Sequence, residues 1–405
     1  MKLIQPQSLS ALSFILLPLH ISLCQAEQSL TTVASAVGFA QYDKRNQPSL
    51  LHQQQNSSFS DQETLRLMWQ GQSNVGISWD LHYMAYHQQP KQNISTQGFE
   101  HIFRYHAVKQ IVKQSTNHAL IHGLDRAVLT LDYKNFRLYF GRQPISFGAG
   151  RFWQPTDVFG AFNPTELDRE YKPGVDATVI DFYPSEFSKL TLAYVFTNKT
   201  NTELSDSYAA QFRRSIGESS EITLIAGKVI AQNVLGGSFE SNIGAIAYRL
   251  EELVYQEPSS KRYENIIIAG LDYQFDNEVI VSSEYYYNSN GAHTPQQLFA
   301  SATSLLSLTG LQKQLGKRVA GLALTKQLSA LFSGSYAMFI ANLRDDAGYD
   351  FSALHQASLS YSLADESDLL LALLYGQGKA ANKQVPASEF GHIPLSASLR
   401  IRLYF

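Results

Sequence analysis

Between Gly141 and Asp176 the chain concentrates ionisable side chains, setting Arg142, Arg151, Arg169 and Lys172 against Asp157, Glu166, Asp168, Glu170 and Asp176. Four cations and five anions nearly cancel, so the stretch has little net charge. Its chemistry would then be electrostatic rather than covalent. Basic groups on one side of an opening and acidic groups on the other would set up a transverse field, and facing charges of this kind select among ions. The same groups could instead pair with one another and pin the segment, a reading that suits the run Asp168-Arg169-Glu170 in particular.

A second set of chemically capable residues is the group His82, His87, His101, His106, His118 and His122. His101 with His106, or His118 with His122, could begin a metal site, and the latter two, four apart, would share one face of a strand. A pair without a third ligand is more often a solvated loop feature than a metal site. The chain also lacks HExxH, CxxC and GxSxG, the spacings that join a nucleophile or activated water to a base. No catalytic residue, no metal site and no cofactor are therefore expected. A third ligand type meeting these histidines in space, or a Ser–His contact on the outer wall, would change that reading.

The elements that position these residues follow from the ends of the chain and its patterning. Lys2, an apolar run from Leu9 to Leu23 and the small residues Cys24 and Ala26 read as a secretory signal peptide over 1–26, leaving one domain over 27–405. The bulky Leu23 before Cys24 is a poor fit for lipidation at that cysteine. Cleavage after Ala26 removes the only cysteine, so no disulfide or thiolate site can hold the fold. Formal charge is −3, and −4 once Lys2 is gone, which argues against nucleic acid as a partner. Beyond the signal no stretch reaches the roughly 18 apolar residues of a spanning helix. Yet 22 Tyr and 23 Phe accompany only 17% charged residues. A barrel in an outer membrane has this balance, because alternate residues face water and aromatic girdles sit at both interfaces.

Alternation with period two recurs along the chain. In the last segment Leu395, Ala397, Leu399, Ile401, Leu403 and Phe405 fall on one face, and Ser396, Ser398, Arg400, Arg402 and Tyr404 on the other. Leu129, Leu131 and Tyr133, then Phe136, Leu138 and Phe140, and later Leu190, Leu192, Tyr194 and Phe196 repeat the pattern. Tight polar joints at 133–136, 183–187, 275–278, 326–329 and 363–368 alternate with long polar segments at 43–61, 87–123, 144–173, 289–315, 342–352 and 378–393. Short turns on one rim and long loops on the other predict an all-β transmembrane antiparallel barrel of about 18 strands, with both termini on the periplasmic side. If 98–113 also spans, a neighbouring strand falls and 16 becomes the alternative. A soluble all-β protein is disfavoured, since no blade-length or coil repeat is present.

Segment 144–173 intersperses Phe147, Phe152, Trp153, Phe159, Phe162 and Tyr171 among Pro144, Pro155, Pro164 and Pro173. So many large rings are out of place in a solvated loop, and long loops with their own packing tend to be functional. The loop is expected to fold inward and form a constriction carrying the nine charged residues from Arg142 to Asp176. Arg142 shares parity with Phe136, Leu138 and Phe140, so it must stand above the apolar band or be turned inward by a bulge. Glu284 is expected on the lumen wall, paired with Arg249 or Arg400 if depths match, along with Arg400 and Arg402. The segment 301–311 could form a short helix.

The terminal ladder Leu399, Ile401, Leu403 and Phe405 resembles the segment of bacterial outer-membrane barrels that the barrel-assembly machinery reads. The stretch 136–177, through Gly141, Arg142, Gln143, Gly148, Pro155, Asp157, Pro164, Asp168, Arg169, Gly174 and Asp176, resembles porin-like outer-membrane proteins of proteobacteria, many uncharacterised and some similar to alginate-export channels. The resemblance implies a channel in the outer membrane of a Gram-negative bacterium. Its partners would be membrane lipid and lipopolysaccharide, the assembly machinery and a small hydrophilic solute. A monomer is favoured, with a trimer as the alternative. A plugged or partner-dependent barrel of an export complex is the second reading, which a lumen filled by 98–123 or 289–315 would favour.

Overall fold

The computed structural model describes residues 27–42, 57–89, 102–106, 108–114, 118–166, 168–198, 204–256, 261–308, 310–345, 348–379, 381–382 and 385–405. The signal-peptide stretch 1–26 and His101 lie outside the described residues. In chain order the strands are β1 (Glu27–Tyr42), β2 (Ser57–Gln72), β3 (Ile77–Gln89), β4 (Lys109–Gln114), β5 (Ala119–Tyr133), β6 (Phe136–Gln143) and β7 (Val175–Ser185). There follow β8 (Ser188–Val195), β9 (Ser207–Ile216), β10 (Ser220–Val229), β11 (Gln232–Ile243), β12 (Ile246–Gln256), β13 (Tyr263–Gln274) and β14 (Ile280–Asn288). The last are β15 (Arg318–Ser329), β16 (Phe332–Asp345), β17 (Gly348–Ala364), β18 (Ser367–Gln377), the two-residue β19 (Ala381–Asn382) and β20 (Val385–Pro386), and β21 (Leu395–Tyr404). Two short helices, α1 (Pro295–Ala302) and α2 (Leu305–Leu308), lie between β14 and β15.

Eighteen of these strands form one closed antiparallel barrel. Its seam is the pairing of β1 with β21, from Val33 opposite Tyr404 to Tyr42 opposite Leu395, while β21 pairs with β18 on its other edge. Closure matters because hydrocarbon offers no partner for backbone N–H and C=O groups, so every ladder must end on another strand. The segment 98–113 does not add a spanning strand. β3 pairs directly with β5, and β4 pairs only with 119–123, so eighteen rather than sixteen is the barrel number.

The period-two reading survives in three dimensions. On β21 Leu399 is 51% exposed and Arg402 only 5%, so one face looks outward and the other into the barrel. Exposed rings gather near the strand ends, with Tyr133, Phe136, Phe187, Phe275 and Phe405 at the short-turn rim and Tyr42, Phe59, Tyr263 and Phe351 toward the other. These are the two aromatic girdles of a membrane barrel.

Several boundaries differ from the sequence reading. The joint expected at 326–329 lies at 330–331, because β15 continues through a register shift between Gln327 and Ser329. Most of the loop expected at 342–352 is strand, since Leu343, 1% exposed, keeps the inward alternation going to Asp345 and β17 starts at Gly348. Helix begins at Pro295, ahead of the expected 301–311, where the Gln297 side chain accepts the backbone N–H groups of His293 and Thr294. The β10–β11 hairpin turns at Ile230 (φ 48°) and Ala231 (φ 66°), a left-handed pair normally filled by Asn or Gly. Ile230 is fully buried in the core that fills the barrel, and this burial offsets the strain.

Candidate functional site

Loop 144–173 folds into the barrel. Ile145, Phe147, Phe152, Trp153, Val158 and Phe159 are all buried, packed against inward-facing wall residues that include Val179, Ile225, Leu253, Ile268 and Phe339. Trp153 lies 5.4 Å from Tyr286 and 5.7 Å from Phe339, and Phe152 meets Phe339 edge-on at 5.3 Å. Gly150 admits no side chain, because a Cβ there would fall 1.7 Å from the Trp153 carbonyl oxygen.

A loop held inside a barrel has backbone N–H groups that no ladder satisfies, and each needs an acceptor. Two wall carboxylates supply them. Glu251 on β12 accepts the Ala149 and Gly150 N–H groups at 2.8 and 2.9 Å, and the Thr156 N–H and hydroxyl at 2.6 and 2.7 Å. Glu284 on β14 accepts the N–H groups of Arg151, Phe152 and Trp153 at 2.6, 2.8 and 3.1 Å. A carboxyl group offers two oxygens, each able to accept more than one donor, which suits both for this task. Arg249, two residues before Glu251 on the same face, sits between Asp272 and Glu284, 3.5 Å from the latter. Arg400 lies elsewhere, so of the two partners considered for Glu284 the structure brings Arg249.

The charged residues singled out from the sequence separate into groups. Asp157 pairs with Lys172, whose ammonium also donates to the Ser146 hydroxyl at 3.0 Å, tying the two limbs of the loop together. Arg142 and Asp176 form a two-pronged pair at 2.7 and 3.0 Å, and Arg142 also donates to the carbonyls of Leu124 and His106. Its parity conflict is resolved locally. Gly141 adopts φ 118°, and β5 carries an extra residue at Asp125 where its register with β3 shifts. Asp168 pairs with Arg400 at 3.2 Å and with Arg402, Glu170 pairs with Arg402, and the Tyr404 hydroxyl donates to Glu170 at 3.0 Å. The loop thus reaches the terminal strand across the barrel. Glu166 accepts the Asn163 N–H at 3.3 Å.

Arg169 donates to the carbonyls of Glu166, Arg151, Asn163 and Pro164 at 2.9–3.3 Å. Burial pulls its guanidinium below the ordinary value, with Glu166 opposing. Among the described residues the Arg151 side chain makes no ion pair. Arg151, Arg169 and Arg249 border one cavity of about 380 Å³, together with Phe152, Thr325 and Ser335.

Sequence reasoning missed Glu251, which lies beside Glu252 on a strand with no other mark. It also missed the buried group of Arg66, Arg104 and Asp125. Asp125 accepts from both arginines, and Arg104 donates to the Gly174 carbonyl at 2.8 Å. Arg66 lies over the ring of Tyr171 at 4.5 Å, fixing the end of the loop. The only available signal was the inward parity of Arg66 between Leu65 and Leu67. His118 stacks on His87 and His122 bonds to the Tyr83 hydroxyl, while the pair of His101 with His106 falls outside the described residues because His101 does.

No family model and no curated protein sequence matches the chain. Solved structures do. OccK9 (OpdG) of Pseudomonas aeruginosa is similar over 94% of this chain and 98% of its own, with TM-score 0.60 and 9% identity. OccAB1 of Acinetobacter baumannii is similar over 94% and 96%, with TM-score 0.58 and 9% identity. OccK2 (OpdF) of Pseudomonas aeruginosa, in complex with glucuronate, is similar over 94% and 97%, with TM-score 0.57 and 8% identity. At such identities the likeness is one of fold, that of a porin-like outer-membrane barrel.

Proposed function

We propose that this barrel is a channel of the Gram-negative outer membrane that passes small hydrophilic solutes by diffusion, with loop 144–173 narrowing its lumen. The observation that carries the reading is the anchoring of the loop to the inner wall by Glu251 and Glu284, which leaves Arg151, Arg169 and Arg249 around one cavity. A narrowing must hold its width, and seven hydrogen bonds from loop donors to two wall carboxylates provide that rigidity. Asp157, Lys172, Arg142, Asp176, Asp168, Glu170, Arg400 and Arg402 then act chiefly to hold the loop, and Arg151 carries most of the field met by a solute. Two of the similar structures contain glucuronate and vanillate, both carboxylates, and small carboxylates are solutes that three arginines would favour.

A second reading has its own support. Phe103 is fully buried, 5.4 Å edge-on to Phe159, so the segment 102–106 adds to the packing inside the barrel and favours a plug. Single-channel conductance in a planar bilayer separates the two, comparing the refolded protein with a variant lacking 147–170. A conducting wild type and a more conductive deletion support the channel. Silence from both would remove it in favour of the plugged barrel.

A further inference from the structure

The outer wall holds a cluster that the channel does not use. On β2 Leu65, Leu67 and Trp69 face outward, and the same parity places Asp61 and Glu63 on that face toward the end of the strand that carries the long loops. On β3 His87 stands opposite Glu63 in the ladder, two residues from the strand end. Its Nδ1 is 2.6 Å from a Glu63 carboxylate oxygen. One ligand atom each from Asp61, Glu63 and His87 can be chosen so that all lie within 4.8 Å of one another.

We infer that Asp61, Glu63 and His87 form a divalent-cation site of the zinc class on the outer rim of the barrel. An imidazole nitrogen with two carboxylate oxygens is a ligand set that zinc and similar borderline cations accept, at about 2.0–2.2 Å from the metal. The pairing of β2 with β3 fixes two ligands across the ladder and the third at i−2 on one strand, so little ordering remains to be done on binding. The His118 ring stacks on His87 with centroids 5.8 Å apart and planes at 20°, which holds the His87 imidazole facing the carboxylates. No sequence spacing joins His87 to Asp61 and Glu63, and the β2–β3 ladder brings them together. Three protein ligands leave a position open to the outside, so the site is a clamp across the β2–β3 rim rather than a closed structural centre.

The test uses the refolded, untagged protein, stripped of metal and titrated with Zn²⁺ by calorimetry and with Co²⁺ by visible absorption. One saturable equivalent is expected, with ligand-field bands for Co²⁺. His87→Ala and the conservative pair Asp61→Asn and Glu63→Gln should each abolish that equivalent, while His118→Ala should weaken it about tenfold. His355→Ala, which removes another outward-facing histidine, should leave it unchanged. Because the Asn and Gln variants keep side-chain shape on an exposed rim, heat-modified gel migration should report an intact barrel in each. Absence of a saturable equivalent in the wild type, or binding as tight as wild type by both His87→Ala and Glu63→Gln, would overturn the site and leave a Glu63–His87 ion pair.

Discussion

Glu251 and Thr156 are joined twice at one oxygen, the backbone N–H at 2.6 Å and the hydroxyl at 2.7 Å, while the other carboxylate oxygen takes two further N–H groups of the loop. Removing a buried acceptor strands its donors, at about 1–3 kcal/mol for each buried group left unsatisfied. Glu251→Ala should therefore release the loop, seen as noisier and larger single-channel currents and as faster proteolysis within 147–166. Glu284→Ala should act in the same direction, and the double variant should exceed either. Currents and proteolysis indistinguishable from wild type would show that ring packing alone holds the loop.

Arg151 has its backbone N–H held by Glu284, while its side chain makes no ion pair among the described residues. Arg151→Glu should shift the zero-current potential in a KCl gradient toward cation selectivity and leave the unfolding temperature unchanged. Arg402→Glu should instead disturb the hold on Asp168 and Glu170, so its main effect is on loop order.

Arg142 is buried and its partner Asp176 half-buried, and the arginine also caps two carbonyls. Arg142→Ala leaves the carboxylate without its paired cation and should destabilise the fold, by less than the about 3–5 kcal/mol of a fully buried pair. Urea unfolding followed by gel migration should show the loss. Arg142→Lys keeps the charge but not the fork, and should fall between the two.

Glu389, between β20 and β21, is buried and accepts the Leu315 N–H at 2.9 Å. Burial pushes its carboxyl from the ordinary 4.5 up to about 7. A raised acid favours the proton in the folded state, so the stabilisation is complete below pH 4.5 and is lost as the pH rises through about 7. Protection of the amides in 311–317, taken relative to the intrinsic exchange rate at each pH, should accordingly fall between pH 5 and pH 8. Glu389→Gln should remove that fall, and wild-type protection that does not change with pH would count against it.

Phe405 closes the seam through two backbone bonds with Thr32, at 3.0 and 2.9 Å. Deleting it should lower the folded, membrane-inserted fraction, and replacement by Leu should restore more of that fraction than replacement by Ser. Equal yields for all three would mean that the seam closes without the terminal residue.

Much of the barrel was legible because a spanning strand has only two sides. Once Leu399, Ile401 and Leu403 are read as facing outward, Arg400 and Arg402 have to face in, and the structure agrees. The rims were less legible. β16 and β17 run past the expected loop because Leu343 and Leu354 find apolar partners inside the barrel, and no local pattern announces a partner that is remote in sequence. Asp157 and Lys172 stood out by composition, yet nothing local said that they would meet.

By itself the sequence determined that the chain alternates in two-faced strands, that short joints and long segments take turns, and that one long segment is too rich in rings to lie in water. These are properties of period and composition, carried by near neighbours. Only the tertiary structure decided which carboxylates hold the loop, that Glu251 matters while Glu252 beside it faces away, and that Asp61, Glu63 and His87 converge. Each of those depends on register between strands or on contact across the lumen. The residues brought together at Glu251 and Thr156 are 95 positions apart, and only closure of the ring fixes that distance.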